Sequence, residues 1–404
     1  MIENIEKKML AYALKNAVEH EGKCQSGAVL NPLFHEGLDK AEVKNIMPKI
    51  NEVVKKVNSM SLDEQKKELE ETEKLISHRK VRAEDELPEL PDVPKTGVVM
   101  RFAPAPSGAL HVGHAISNVI SSLYVEKYGG KFYVRIEDTN PEKTDKNAYQ
   151  TIKEDCDWLF GNVTEYIIQS ERLELYYSYA KKLIEKNAAY VCTCSQEDFK
   201  LKYADKMQNC PCRDLDNKEQ EKRWQKMLDK KGYAEGEAVL RFKSNMQHKN
   251  PAMRDFPLAR ISLKEHPKQG TKYRVWPLMN LSVSVDDMEL GMTHVIRGKD
   301  HHDNAERQKM IFEIFNKPYP WTFFMGRIKF SDLKLGKRHI KAAIESGEFS
   351  GWEDEKLPTL VSLRKRGFNP IAFKKFSIQR GLTSVDKVMD SKEFFAILER
   401  FSKE

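Results

Sequence analysis

No stretch of the 404-residue sequence approaches the ~20 consecutive apolar residues that a membrane-spanning helix needs. The first residues, Met1-Ile-Glu-Asn-Ile-Glu-Lys-Lys, lack the apolar segment of a secretory signal. Spanning and secreted classes are thereby set aside, and a cytoplasmic chain with no membrane partner is expected. Cysteine is scarce, six in the whole chain, and in a reducing compartment these serve as thiols or metal ligands rather than disulfides. Charge of one sign is in small excess: 68 Lys and Arg against 61 Asp and Glu leave +7, which permits a polyanionic partner without requiring one. The length argues for roughly two to four domains.

The most informative stretch is Arg101-Phe-Ala-Pro-Ala-Pro-Ser107-Gly108-Ala-Leu-His111-Val-Gly113-His114. The apolar run Gly97–Met100 before it reads as a buried strand, the Pro/Ser/Gly cluster as a tight turn, and Ala115–Lys127 as a helix. A helix start offers unpaired N–H groups and partial positive charge, which suits phosphate oxygens, and Gly108 and Gly113 leave room for a nucleotide against the backbone. His111 and His114, three apart, share one side of the first turn. Lys131–Asp138 reads as a second strand, so strand, helix, strand predicts a parallel sheet with Arg101 and Glu137 near two strand ends.

Residues 1 to 82 are charged and helical in pattern, with Ile46, Ile50, Val53, Val54 and Val57 at spacings of three and four. Pro88, Pro91 and Pro94 mark a stiff extended linker. The Cys192-Thr-Cys194 and Cys210-Pro-Cys212 pairs suit a closed tetrahedral zinc site of structural type. Cys24 and Cys156 stand alone as packing residues. Ala238–Phe242 and Met253–Pro257 look strand-like, and the short strand Thr293–Ile296 ends by delivering Arg297, whose planar fork matches a carboxylate. Between Val361 and Gly381 basic and apolar residues interleave without acids, as in a helical module that packs one side and offers the other to phosphates.

Taken in order, Arg101–His114, Arg135-Ile136-Glu137-Asp138-Thr139, the cysteine pairs, Tyr273–Asn280, Val285-Asp286-Asp287, Thr293–Asp300 and the basic stretch Gly336-Lys337-Arg338-His339 resemble the class I aminoacyl-tRNA synthetases. They look most like the archaeal and eukaryotic-type glutamyl-tRNA synthetases. The resemblance implies an α/β fold: a Rossmann-like parallel sheet split by a zinc-bearing α+β acceptor-binding insertion, with helical N-terminal and C-terminal modules. Its implied domains are 1–82, a helical appendage; 83–97, a Pro-rich linker; 98–175, the first catalytic half; 176–272, the insertion with Cys192, Cys194, Cys210 and Cys212 on zinc; 273–325, the second half; and 326–404, the basic loop with a helical tRNA-stem module.

The implied reaction activates glutamate with ATP and Mg2+ and passes it to the 3′ end of tRNA(Glu), with tRNA(Gln) a second candidate acceptor. A monomer is expected. His111, His114, Lys337 and Arg338 would be catalytic, and Gly108, His111, Gly113 and His114 would bind ATP. Arg101, Ser107, Glu137, Asn280 and Arg297 would hold glutamate, with Glu137 on its amino group and Arg297 favouring it over glutamine. The chain departs from the family at Asn140, at Met279, and at the basic stretch, which lacks the family's serines. After Glu404 nothing corresponds to the anticodon-reading β-barrels of relatives. Two other readings stay open: a truncated paralogue that activates glutamate for another acceptor, and a catalytically silent tRNA-binding protein.

Overall fold

In the computed structural model, residues 4–35, 38–39, 42–76, 86–333 and 336–403 are described, apart from the side chains of His35 and Arg338. The chain divides into two units, Met1–Ala83 and Glu84–Glu404. The first is all helical: Ile5–Glu19, Ser26–His35, Val43–Asn58 and Leu62–Thr72 close around Met9, Leu14, Val29, Ile50 and Val57. Apolar spacing of three and four along Val43–Asn58 buries Ile46, Ile50 and Val57 on one face. The last of these helices starts at Ser61, whose hydroxyl accepts from the Glu64 N–H while the Glu64 carboxylate accepts from the Ser61 N–H.

The second unit is built on strands β1 (Val98–Phe102), β2 (Gly130–Ile136) and β3 (Glu165–Ile168), which pair in parallel with Met100 opposite Phe132 and Val134 opposite Tyr166. Helices Val112–Tyr128 and Ala148–Phe160 make the crossovers. An antiparallel sheet follows: β4 (Ala189–Cys192), β5 (Val239–Phe242), β6 (Pro257–Ile261) and β7 (Val275–Pro277). The chain then enters helix Met279–Glu289 and the parallel pair β8 (His294–Gly298) and β9 (Trp321–Met325), with helix His302–Ile314 between them. The Thr293 N–H donates to the Val99 carbonyl at 3.0 Å and its hydroxyl accepts from the Val99 N–H at 2.9 Å, which laces β8 against β1.

In space the strands therefore run β3, β2, β1, β8, β9. The chain leaves β1 toward one edge and β8 toward the other, so the order reverses between them, and the crevice beyond their carboxyl ends is where such sheets bind ligands. Arg101 and Arg297 sit at those two ends. A short parallel pair, β10 (Ile328–Phe330) with β11 (Lys387–Met389), had no counterpart in the sequence reading. Three residues per strand carry too little periodicity to register.

Two sequence expectations change. The proline-bearing stretch is no free spacer where it is described: Leu87 and Leu90 are buried in the same apolar core as β1 and β2, Tyr124 Oη donates to the Pro88 carbonyl at 2.9 Å, and His294 Nε2 lies 2.8 Å from the Pro91 carbonyl. Apolar residues between prolines can dock without forming regular structure. Met253–Asp255 is not strand either. Pro251–Met253 forms a 3-10 turn, and Asp255 adopts a positive φ of 30° so that its backbone and carboxylate bind Ser244. Side-chain bonds there replace ladder bonds.

Candidate active site

The turn after β1 is shaped by Gly108, whose φ of +135° few side chains tolerate, and a Cβ there would stand 2.4 Å from the ring of Trp352. His111 caps helix Val112–Tyr128, its Nδ1 accepting from the Gly113 N–H at 3.2 Å, and His114 Nδ1 accepts from the His111 N–H at 3.2 Å. The ring centroids are 3.9 Å apart. Since each Nδ1 is an acceptor, each neutral ring carries its proton on Nε2. Burial, helped by the charge of Lys337, pushes His111 down to about 3; burial likewise holds His114 well below the usual imidazole range. The pair thus presents two neutral N–H donors, fixed in tautomer by the helix start itself. They line a cavity of about 480 Å³ together with Gly113, Gly298, Asp300 and Gly326.

At the carboxyl ends of β1 and β2 lies a charged network that sequence reading did not foresee. Asp287, 2 % exposed on helix Met279–Glu289, accepts from Arg101 Nε at 2.8 Å and Nη2 at 3.2 Å, and from Arg135 Nη1 at 2.5 Å. Arg135 Nη2 reaches Glu137 Oε1 at 3.0 Å. Burial alone would raise the Asp287 carboxyl, but the two guanidinium groups override it and hold it down to about 2. Next to it, Asp286 takes Arg172, Gln169 and Tyr176. The signal was present as adjacent acids in an apolar helix and an arginine inside strand β2, since buried charges require partners.

Arg297 differs from Arg101. Its Nη1 donates to Gln308 Oε1 at 2.8 Å, Gln308 in turn donates to Asn280 Oδ1 at 3.4 Å, and Tyr319 Oη donates to the same Gln308 oxygen at 3.3 Å. Its Nε is buried without a partner, and it forms no ion pair among the described residues. Burial and the repulsion of Arg101 push its proton affinity down. A half-buried guanidinium answered by neutral amides has spare donors for a carboxylate.

The structure thus joins Arg101 to Glu137 through Arg135 and Asp287, and Arg297 to Asn280 through Gln308. Arg101 already spends two donors on Asp287. Glu137 faces a second cavity of about 450 Å³ with Ala105, Asn140, Gln169 and Arg260. Ser107 bonds the Ala105 carbonyl through its backbone N–H at 2.9 Å. Lys337 does not point into the open cavity: Nζ donates to the carbonyls of Ala105 at 3.0 Å and Gly108 at 3.1 Å. The Arg338 side chain lies outside the described residues. Of the cations between 361 and 381, Arg364, Lys365 and Lys374 are paired with Glu154, Glu353 and Glu126 rather than left for phosphates alone.

Away from the cleft, β4 ends at Cys192 and a 3-10 turn from Pro211 carries Cys212. The Sγ atoms of Cys192, Cys194, Cys210 and Cys212 all lie within 4.8 Å of one another, with Cys192 to Cys210 at 3.6 Å and Cys194 to Cys210 at 3.3 Å. Four thiolates at Zn–S bonds of ~2.3 Å would be about 3.8 Å apart, so the donor set and spacing fit zinc. The Thr193 N–H, 3.5 Å from Cys212 Sγ, supports a thiolate there.

Residues 97–400 match the family described as tRNA synthetases class I (E and Q), catalytic domain. The chain is 44 % identical over 394 residues to a glutamate–tRNA ligase of Methanocaldococcus jannaschii, covering 97 % of this chain and 70 % of that protein. It is 41 % identical over 401 residues to one from Pyrococcus furiosus, with the same coverage. Among solved structures, the glutamate–tRNA synthetase of Elizabethkingia anophelis aligns with a TM-score of 0.54 at 19 % identity, covering 74 % of this chain and 69 % of that one, a likeness of fold. No helix among the described residues is long and apolar enough to cross a membrane.

Proposed function

Because the chain belongs to the class I tRNA synthetases, and among them to the glutamate–tRNA ligases, we propose a division of labour for its residues in activating glutamate and loading it on tRNA. The carboxylate of glutamate attacks the α-phosphorus of ATP. The bond to the β-phosphate breaks and pyrophosphate leaves, so glutamyl-adenylate forms. A ribose hydroxyl at the tRNA 3′ end then attacks the adenylate carbonyl, and AMP departs with the bonding electrons.

No protein nucleophile is required, so catalysis rests on alignment and on donors set where charge grows. His111 and His114 give Nε2–H to the phosphates. Gly108 and Gly113 let ATP, which arrives with Mg2+, approach the backbone. Arg297 takes the side-chain carboxylate of glutamate, Asn280 steadies it through Gln308, and Glu137 takes the amino group. Arg101 and Ser107 shape the pocket wall, and the positive charge of Lys337 and Arg338 offsets the departing pyrophosphate. Residues 98–175 and 273–325 are read as two halves of the nucleotide fold, and the sheet β4–β7 as a zinc-stapled module that meets the acceptor end.

The observation that carries this scheme is Arg297, a half-buried guanidinium with an unpartnered Nε and no ion pair among the described residues. Pyrophosphate–ATP exchange tests it. Exchange that depends on glutamate, together with charging of a tRNA(Glu) transcript, is expected; exchange equally driven by glutamine would refute it. A tRNA(Gln) transcript in the same assay reads the second acceptor.

A further inference from the structure

Arg380 is the last residue of helix Pro370–Arg380, far along the chain from the signature turn, yet it lines the same cavity of about 480 Å³ as His111 and His114. Its Nη2 donates to the Gly326 carbonyl at 2.5 Å, the one hydrogen bond of this side chain among the described residues. It forms no ion pair among them. The other arginine in the cavity wall, Arg327, is spent on Asp300 at 2.7 Å. Asp386 is likewise taken, by Lys299 at 2.9 Å, by Lys329 at 3.4 Å and by the Arg327 N–H at 2.8 Å. Arg380 is therefore a half-buried cation that the surrounding carboxylates leave unanswered.

The segment that Arg380 grips is braced from the same side. The Gly326 N–H donates to the Thr383 carbonyl at 2.8 Å, the Lys387 N–H donates to the Arg327 carbonyl at 2.9 Å, and β10 pairs with β11. Gly326 permits this approach, because a Cβ there would collide with the Val385 carbonyl. A guanidinium tied by one nitrogen to a braced main chain has little freedom left to lose when a ligand arrives.

Position along the sheet says which part of a nucleotide it meets. Strands β1, β8 and β9 are neighbours, and at ~4.8 Å per step the end of β9 stands roughly 10 Å from that of β1. That separation is comparable with the reach from triphosphate to base in ATP. With phosphates at the histidines beyond β1, the base falls beyond β9, where Met325 and Ile328 flank Gly326 in the cavity wall. Apolar walls suit a flat heterocycle, and a guanidinium plane stacks on one. A partly desolvated cation without a counter-ion gains from such a π face.

We propose that Arg380 is a further nucleotide-binding residue: anchored on the Gly326 carbonyl, its planar guanidinium packs against the purine of ATP while His111 and His114 hold the phosphates. This deepens the reading of the cavity as the ATP site and rests on it. The C-terminal helical module then completes the catalytic cleft in addition to any contact with a tRNA stem.

The test compares wild type, Arg380→Met and Arg380→Lys in glutamate-dependent exchange with tRNA(Glu) present, reading KM separately for ATP and for pyrophosphate. Inhibition by adenosine, which has the base without phosphates, and by tripolyphosphate, which has phosphates without a base, is measured on the same proteins. Arg380→Met is expected to raise KM for ATP and the inhibition constant of adenosine together, by about tenfold. KM for pyrophosphate and inhibition by tripolyphosphate stay within about twofold. Arg380→Lys keeps the charge but not the plane, so it behaves more like Arg380→Met than like wild type. An unchanged KM for ATP in Arg380→Met would overturn the proposal, as would an Arg380→Lys protein that binds adenosine as wild type does. Parallel losses for pyrophosphate and tripolyphosphate would make Arg380 a phosphate ligand instead, and a lower Tm with every ligand weakened alike would make it a structural anchor; either result also overturns it. Should wild type show no exchange, the ligase reading falls, and binding of ATP and adenosine by calorimetry on the same variants decides this one separately.

Discussion

Replacing Arg297 by glutamine tests the substrate pocket most directly. The guanidinium meets Gln308 at 2.8 Å, leaves Nε unpartnered and is repelled by Arg101, so it is held in the protein at a cost and repaid by an incoming carboxylate. Removing it leaves the glutamate side chain without its charged partner in a half-buried site, a loss of about 3 kcal/mol or roughly two decades in kcat/KM. Glutamine, carrying no charge, should change by about threefold or less, so the preference for glutamate drops by well over tenfold. Stability should move the other way: with no ion pair broken and a repulsion relieved, Tm is unchanged or raised. The assay is pyrophosphate exchange with each amino acid, alongside a thermal melt. A preference that stays within threefold of wild type refutes the reasoning, and so does a Tm several degrees lower, which would make Arg297 a structural residue.

Asp287→Asn should cost about 3–5 kcal/mol in urea unfolding, because Arg101 and Arg135 lose the anion they share; a change under 1 kcal/mol would contradict this. Its carboxyl is depressed to about 2, so its stabilisation is complete above the unfolded carboxylate value near 4 and fades as pH falls toward 2, which acid titration of unfolding can follow. His114→Gln should lower kcat of exchange by about 10²–10³ through loss of one phosphate donor, and wild-type kcat should show no imidazole limb between pH 5 and 8, since burial keeps both rings neutral there. Metal analysis should find about one zinc per chain, lost in Cys210→Ser; a fully folded wild type without zinc would retire that site.

The β1 strand, its glycine turn and the following helix were legible because proline and glycine punctuate them and the apolar run beforehand has no alternative use. The paired histidines were legible as neighbours but not in their tautomer, which depends on which backbone N–H each Nδ1 meets. Lys131–Asp138 was legible as a strand, but the full burial of Arg135 within it was not, because one of the two acids that neutralise it, Asp287, arrives 152 residues later. Asx-type bonding at Asp255 similarly broke a stretch whose composition resembled strand. Local pattern reports propensity, and partners distant in the chain decide where charge may be buried. Lys337 shows the same limit: its basic character was plain, while its place beneath two carbonyls came only from tertiary packing.

Arg101 and Asp287 lie 186 residues apart, and the whole antiparallel sheet β4–β7 intervenes between them. Arg135 has an acidic partner close by in Glu137, whereas Arg101 in β1 meets its carboxylate only once helix Met279–Glu289 has been added to the chain. Closing so long a span carries a loop-entropy penalty that grows slowly with length, and it is lessened once the intervening sheet has drawn its own ends together. The contact between Arg101 and Asp287 is therefore one that closes across the β4–β7 segment of the chain.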